Sequence, residues 1–527
     1  MAIKSNEITL IFIAFLSSFI VFAQKPFREF KVLDSQYLSK DEVFGPIVNE
    51  VKEFERYEEL APFIIEKSIA EIQKEIINGT FTYEDLTRFY LYRIYKYDRE
   101  NEQSLNSVIA INPKAIELAH DADKTLARKL RDNPQAGDVF SIHGMPILVK
   151  DNIDVAGMAT TAGAKVLEEN RPERDAEVIE NLKERGAIIL GKTNLSEWAY
   201  YFCGDCPSGY SAIGGQTLNP YGRTTIDTGG SSSGSGVAVA ANFAVGALGS
   251  ETAGSIVSPA SQNSVVGYKP GSSLVSGGVV PISIYLDRVG PMTKNVQDNL
   301  ILTEAAYNIS FNYGSGYGST DDLTLKDRRI GVYKEYLKNN VYNEAVNIMK
   351  KAGAVIVELE KKKIDLNGFL TLLDADMKKD LPIYFEEFAS AKYRNYDIFK
   401  VIQENKKDSL NYMPYGQRLF NKIQNDTTTI EDLNLIKSRL LKNAQGFYAD
   451  IIDKNLDAIA SVNNYDAASA AVGFMDLITV PMGYDEDGKP YGITFVLQSI
   501  ENTRNVMEIA AGFENITNAR KPPKAYE

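Results

Sequence analysis

The sequence predicts an α/β fold built as one large domain. Three observations carry this. Segments with the 3.6-residue period of helices alternate with short apolar runs of strand length over most of the chain. No internal repeat and no long low-complexity linker divides it. The chain has 527 residues, 44% of them hydrophobic, enough to bury a large core.

Taken in order, residues 1–23 stand apart. Lys4 supplies a positive start, Ile8 to Phe22 is an apolar run, and Val21 and Ala23 fit a small-residue cleavage site. This reads as a signal peptide cut after Ala23. The run is short for a membrane span and no other stretch approaches one, so no stable span is expected after cleavage. The expected location is exported, either periplasmic or secreted. Residues 24–63 are polar and aromatic without a clear period and read as an N-terminal extension. The main domain is expected over 64–520.

Within it, Ile69, Ile72, Ile76 and Ile77 make one helical face that Gly79 ends. Thr82 starts a second helix, with Asp85 in the place of a capping-box acid. Val108–Ile111 predicts a strand and 113–130 a helix. Residues 141–149 read as a loop entering a buried strand that ends at Lys150. A helix over 177–185 and a strand over 187–190 complete a βαβ-like pair, and 194–201 reads as a further helix. Later come a strand (329–333), a helix (343–352) and a strand (354–358). A largely helical region follows at 366–456, then strands at 477–480 and 492–497 and a helix at 504–513.

Composition excludes some functions. The 57 Lys and Arg face 70 Asp and Glu, a net charge of −13, so no cationic surplus exists to neutralise a nucleic acid. The only cysteines, Cys203 and Cys206, stand in CGDC and fit either a small local disulfide or two free thiols. With only His120 and His143 to complete a site, no metal is expected, and no cofactor.

The stretch Thr228–Pro259, TGGSSSGSGVAVAANFAVGALGSETAGSIVSP, carries the chemistry. A flexible tether has no reason to run directly into the core-like VAVAANFAVGALG. A phosphate loop needs a lysine after its glycines, and none is present. Gly230, Ser232 and Gly234 match GxSxG, but that arrangement needs a histidine after the serine, and none occurs after His143. Triads of other chain order through His120 or His143 stay formally open, although His143 opens a strand and His120 sits in a polar helix. A serine without histidine needs another base. Lys150, at the end of the apolar strand Ile147–Val149, can serve if burial favours its neutral amine.

The pieces HGMPILVKDNID, GKTNLSEWA, TGGSSSGSGVAVAAN and SETAGSIVSPASQNSVVGYKP, in this order, resemble the amidase-signature family. The resemblance spans about Ile64 to Phe513. SEWAYYF, GGQTLNPYG and PISIYLDRVGPM are most similar to its bacterial peptide amidases, which act on C-terminal peptide amides. It implies a single large mixed β-sheet covered by helices on both faces. It also implies a triad in which Ser255 is the nucleophile, Ser231 bridges through a cis bond from Gly230, and Lys150 is the base, with Gly230 and Ser232 as support. Backbone N–H groups of Thr252, Ala253, Gly254 and Ser255 would form the oxyanion hole. The expected partner is a small-molecule or peptide amide. Two positions depart from many members: Ala253 replaces Gly or Asp, and Val257 replaces an arginine. Three other functions share these motifs: a non-catalytic binding protein that keeps the fold, a fatty-acid-amide hydrolase using Leu381–Tyr396 as an apolar channel, and the glutaminase subunit of a tRNA amidotransferase. Export argues against the last.

Overall fold

Thirteen strands lie among the residues that the computed structural model describes, 38–527 apart from 272–273, 275, 311–318 and 499–502. The expected signal peptide and the first part of the extension lie outside them. The strands are β1 (Val108–Ile111), β2 (Pro146–Lys150), β3 (Ile188–Thr193), β4 (Tyr210–Ser211), β5 (Gly215–Gln216), β6 (Gly246–Glu251) and β7 (Val266–Lys269). They continue with β8 (Arg288–Thr293), β9 (Arg329–Tyr333), β10 (Val355–Leu359), β11 (Ala458–Val462), β12 (Asp476–Tyr484) and β13 (Pro490–Leu497). β4 and β5 pair as a small ribbon; the other eleven form one sheet in the order β1-β3-β2-β6-β8-β7-β12-β13-β11-β9-β10.

The sheet is mixed, and helices cover both of its faces. β2 runs parallel to both β3 and β6, while β6–β8, β8–β7 and β7–β12 are antiparallel. The register sets Ile147 against Gly246 and Glu251 against Arg288. The C-terminal ends of β2 and β6 and the approach to β8 therefore meet at one end of the strands, where open α/β sheets place their ligands.

Local sequence explains the early elements. Helix Ile69–Ile77 is capped by a Ser68–Glu71 box and helix Tyr83–Tyr97 by a Thr82–Asp85 box. The segment 38–64 holds short helices, including Lys40–Phe44 and Tyr57–Ile64, and buries Phe44, Val51, Leu60 and Ile64 in the core. A separate apolar cluster joins helix Phe369–Glu387 to loops around the ends of the central strands, through Leu372, Met377 and Leu381 against Trp198, Val280 and Leu286. Leu381, Tyr384, Phe385 and Tyr393 are buried in that packing rather than lining an open channel. Among the described residues no helix is long and apolar enough to cross a membrane.

The helix expected over 194–201 is instead one short turn, Glu197–Tyr200. Trp198, Ala199 and Tyr200 have φ of 50°, 53° and 74°, which an α-helix cannot hold. Tertiary bonds decide it: Trp198 N–H donates to Ala162 O (2.8 Å) and Ser196 N–H to Ser231 O (3.0 Å).

Helix Ser233–Ala240 is buried on every side and starts in the Gly/Ser run. A Cβ at Gly234 would lie 2.4 Å from Ser107 O and 2.5 Å from Asn194 O, both backbone atoms that cannot move aside. Gly234→Ala is expected to cost about 2–3 kcal/mol of stability, read as a lowered thermal midpoint. An unchanged midpoint would mean that this helix does not need its close approach to Ser107 and Asn194.

Candidate active site

Lys150 ends β2 and is fully buried. Its Nζ lies 2.8 Å from Ser231 Oγ, 3.0 Å from Ser250 O and 2.9 Å from Ser250 Oγ. The Ser250 carbonyl can only accept. The Ser250 hydroxyl can donate to Asn152 Oδ1 at 3.1 Å, which leaves its oxygen to accept from lysine. A neutral amine has two N–H groups and one lone pair. Ser250 takes both N–H groups, so the lone pair is left for the Ser231 hydroxyl. Burial lowers the Lys150 pKa to about 7, against the pull of the carboxylates of Asp287 and Glu251. A neutral amine is thus populated near neutral pH.

Ser231 is buried, and the peptide bond from Gly230 to Ser231 is cis. Gly230 fits closely here, since a Cβ would meet Ser196 Oγ at 2.5 Å and Ser208 Oγ at 2.6 Å. Ser232 ties the parts together. Its N–H donates to Ser255 O (3.1 Å) and its hydroxyl to Ser250 O (3.1 Å). Ser255 is 9% exposed, whereas Lys150, Ser231 and Ser232 are fully buried. Among the described residues no hydrogen bond joins the Ser231 and Ser255 hydroxyls.

The turn after β6 is shaped by Glu251. Its Oε1 accepts from Gly254 N–H (2.7 Å), and its Oε2 from Ile256 N–H (2.7 Å) and Val257 N–H (3.0 Å). Gly254 adopts φ of 97°, which this turn requires and a larger residue resists. One expectation changes as a result. The Gly254 N–H, counted among the oxyanion donors, is held by Glu251. The N–H groups of Thr252, Ala253 and Ser255 donate to no described residue, so three of the four expected donors stay open.

The two histidines stay away from this centre. His143 Nε2 contacts Ala122 O at 3.2 Å and its ring meets Tyr83 edge-on; burial lowers its pKa. His120 pairs with Glu84 on the surface at 3.3 Å. Cys203 and Cys206 are joined as a disulfide. Among the described residues no cluster of His, Cys, Asp and Glu is suited to a metal ion. Residue-by-residue reading missed Asn152, Ser250, Glu251 and Asp287. All four lie inside motifs already recognised, VKDN, SETAGS and PISIYLDRVGPM, and polar residues between apolar and Gly-rich stretches were the available signal.

A model of the family described as Amidase matches residues 85–471. A probable amidase of Arabidopsis thaliana is 32% identical over 491 residues, covering 88% of this chain and 92% of that one. The crystal structure of an amidase family protein from Bacillus anthracis shares 33% identity at a TM-score of 0.84, covering 94% of this chain and 99% of its own. The chain belongs to the amidase family and is an amide hydrolase. A second similar structure is the peptide amidase of Stenotrophomonas maltophilia, 33% identical at a TM-score of 0.75, with 87% of this chain and 98% of that one covered.

Proposed function

We propose that this protein is an exported serine amidohydrolase acting on C-terminal peptide amides or other small carboxamides through Lys150, Ser231 and Ser255. The observation that carries this reading is the 2.8 Å contact from Lys150 Nζ to Ser231 Oγ, with Ser250 occupying the other directions of the amine. In this reading neutral Lys150 takes the Ser231 proton while Ser231 takes that of Ser255. Ser255 Oγ then attacks the amide carbon. The oxyanion forms against the N–H groups of Thr252, Ala253 and Ser255. The proton returns from Lys150 through Ser231 to the leaving nitrogen, the C–N bond breaks, and ammonia departs. Water adds to the acyl-ester by the same relay and frees the carboxylic acid and Ser255.

Similarity to a peptide amidase supports the choice of substrate. A fatty-acid-amide substrate is disfavoured, because the aromatic segment 381–396 is spent on packing. Export rests on the sequence pattern of residues 1–23. The test is ammonia release from a panel of peptide amides, free amino-acid amides and long-chain acyl amides. Peptide amides are expected to give the highest kcat/KM. Preference for long-chain acyl amides would overturn the substrate assignment, and an unprocessed N-terminus in cell fractions would overturn export.

A further inference from the structure

The loop before β8 reaches the same end of the sheet as Lys150 and the oxyanion turn. Asp287 closes it and is half-buried there. Its Oδ1 accepts the Thr252 hydroxyl at 2.5 Å, and its Oδ2 accepts the N–H groups of Ile282 (2.8 Å) and Ser283 (3.1 Å). Both oxygens act as acceptors, as an ionised carboxylate does. The loop is clamped from its far side as well. The Ser283 hydroxyl donates to Asp376 Oδ2 (2.6 Å) and Ile284 N–H to Asp380 Oδ2 (2.8 Å), both on helix Phe369–Glu387. Asp287 is thus fixed between the helical region and the turn that carries Ser255.

We propose that Asp287 is a positioning residue of the hydrolase: it holds Thr252, and with it the first oxyanion donor, and supplies the negative charge against which Lys150 takes up its proton. The inference rests on Lys150 acting as the base. Asp287 is the strongest charge favouring the ammonium of Lys150, followed by Glu251. The other charges near Asp287 are Lys269 on β7, Asp380 on the packed helix and Arg288 next in its own chain. Burial raises the Asp287 carboxyl to about 6, and the three hydrogen bonds its two oxygens accept favour the charged form.

The two roles make separable predictions. Asp287→Asn keeps the size and removes the charge. Lys150 then becomes neutral more easily but is a weaker base. The acid limb of the pH–rate profile is expected to move down by roughly 1 pH unit while the plateau kcat falls about ten-fold or more. A residue that only supported the fold would lower kcat without moving the limb. Thr252→Val removes the tether and keeps the charge. It is expected to lower kcat with little change in KM, and Thr252→Ser to restore it.

A wild-type limb position in Asp287→Asn, or wild-type kcat in Thr252→Val, overturns the proposal. If Asp287→Asn does not fold, the Thr252 pair still decides the first half, and Asp287→Glu, which keeps the charge, is expected to retain the wild-type limb. A wild-type enzyme whose rate shows no acid limb near neutrality would instead contradict Lys150 as the base.

Discussion

Ser255→Ala is expected to abolish amide hydrolysis, lowering kcat by about 10³-fold or more, while leaving the thermal midpoint close to that of wild type. Both halves follow from the site. Ser255 is the least buried of Ser231, Ser232 and Ser255, and its turn carries N–H groups free to meet an oxyanion. Its hydroxyl makes no hydrogen bond among the described residues, so its loss breaks no internal hydrogen bond. The Ser255 carbonyl, which does hold Ser232 N–H, belongs to the backbone and survives the change. The measurement is ammonia release beside a thermal melt. Substantial turnover in the folded variant would move the nucleophile elsewhere, with Ser231 and Ser232 next in line by position.

Lys150→Met is expected to lower kcat by about 10³-fold at neutral pH. The stem is kept and the amine is lost, so the Ser231 hydroxyl has no base. Wild type depends on neutral Lys150. Its kcat/KM should therefore be low in acid, rise through about pH 7, and level off above. In the variant that limb disappears, and the residual rate climbs with hydroxide concentration. Stability follows pH in the same sense. The folded pKa of Lys150 lies below its ordinary 10.5, so between about 7 and 10.5 the unfolded chain binds more protons and this group favours folding more as pH rises. Below about 7 the buried ammonium costs most. At pH 6 the variant should melt no lower than wild type. Unchanged activity at neutral pH would remove Lys150 from the mechanism.

Elements with strong local signals were legible in the sequence. β1 and β9 lie at their expected residues, and the capping boxes at Thr82 and Ser68 start their helices. Several central strands were not legible. β6 is GALGSE and β8 is RVGPMT: both are buried on all residues, and neither alternates or carries a β-branched run. Their identity as strands is set by their neighbours in the sheet, which no local window contains. The turn at 197–200 failed for the same reason, since its donors go to Ala162 and Ser231. At the site, Lys150 was legible because an apolar strand ends on it. Ser250, Glu251 and Asp287 were not, because what they do depends on β6 and β8 lying side by side.

The central claim is that a neutral amine at Lys150 activates Ser255 through Ser231. Its most direct measurement is labelling with a fluorophosphonate, followed by peptide mapping, with the labelling rate taken as a function of pH. The adduct should lie on Ser255, and its rate of formation should rise through about pH 7 and vanish in Lys150→Met. An adduct on another residue, or a labelling rate indifferent to pH and to the loss of the amine, would contradict it.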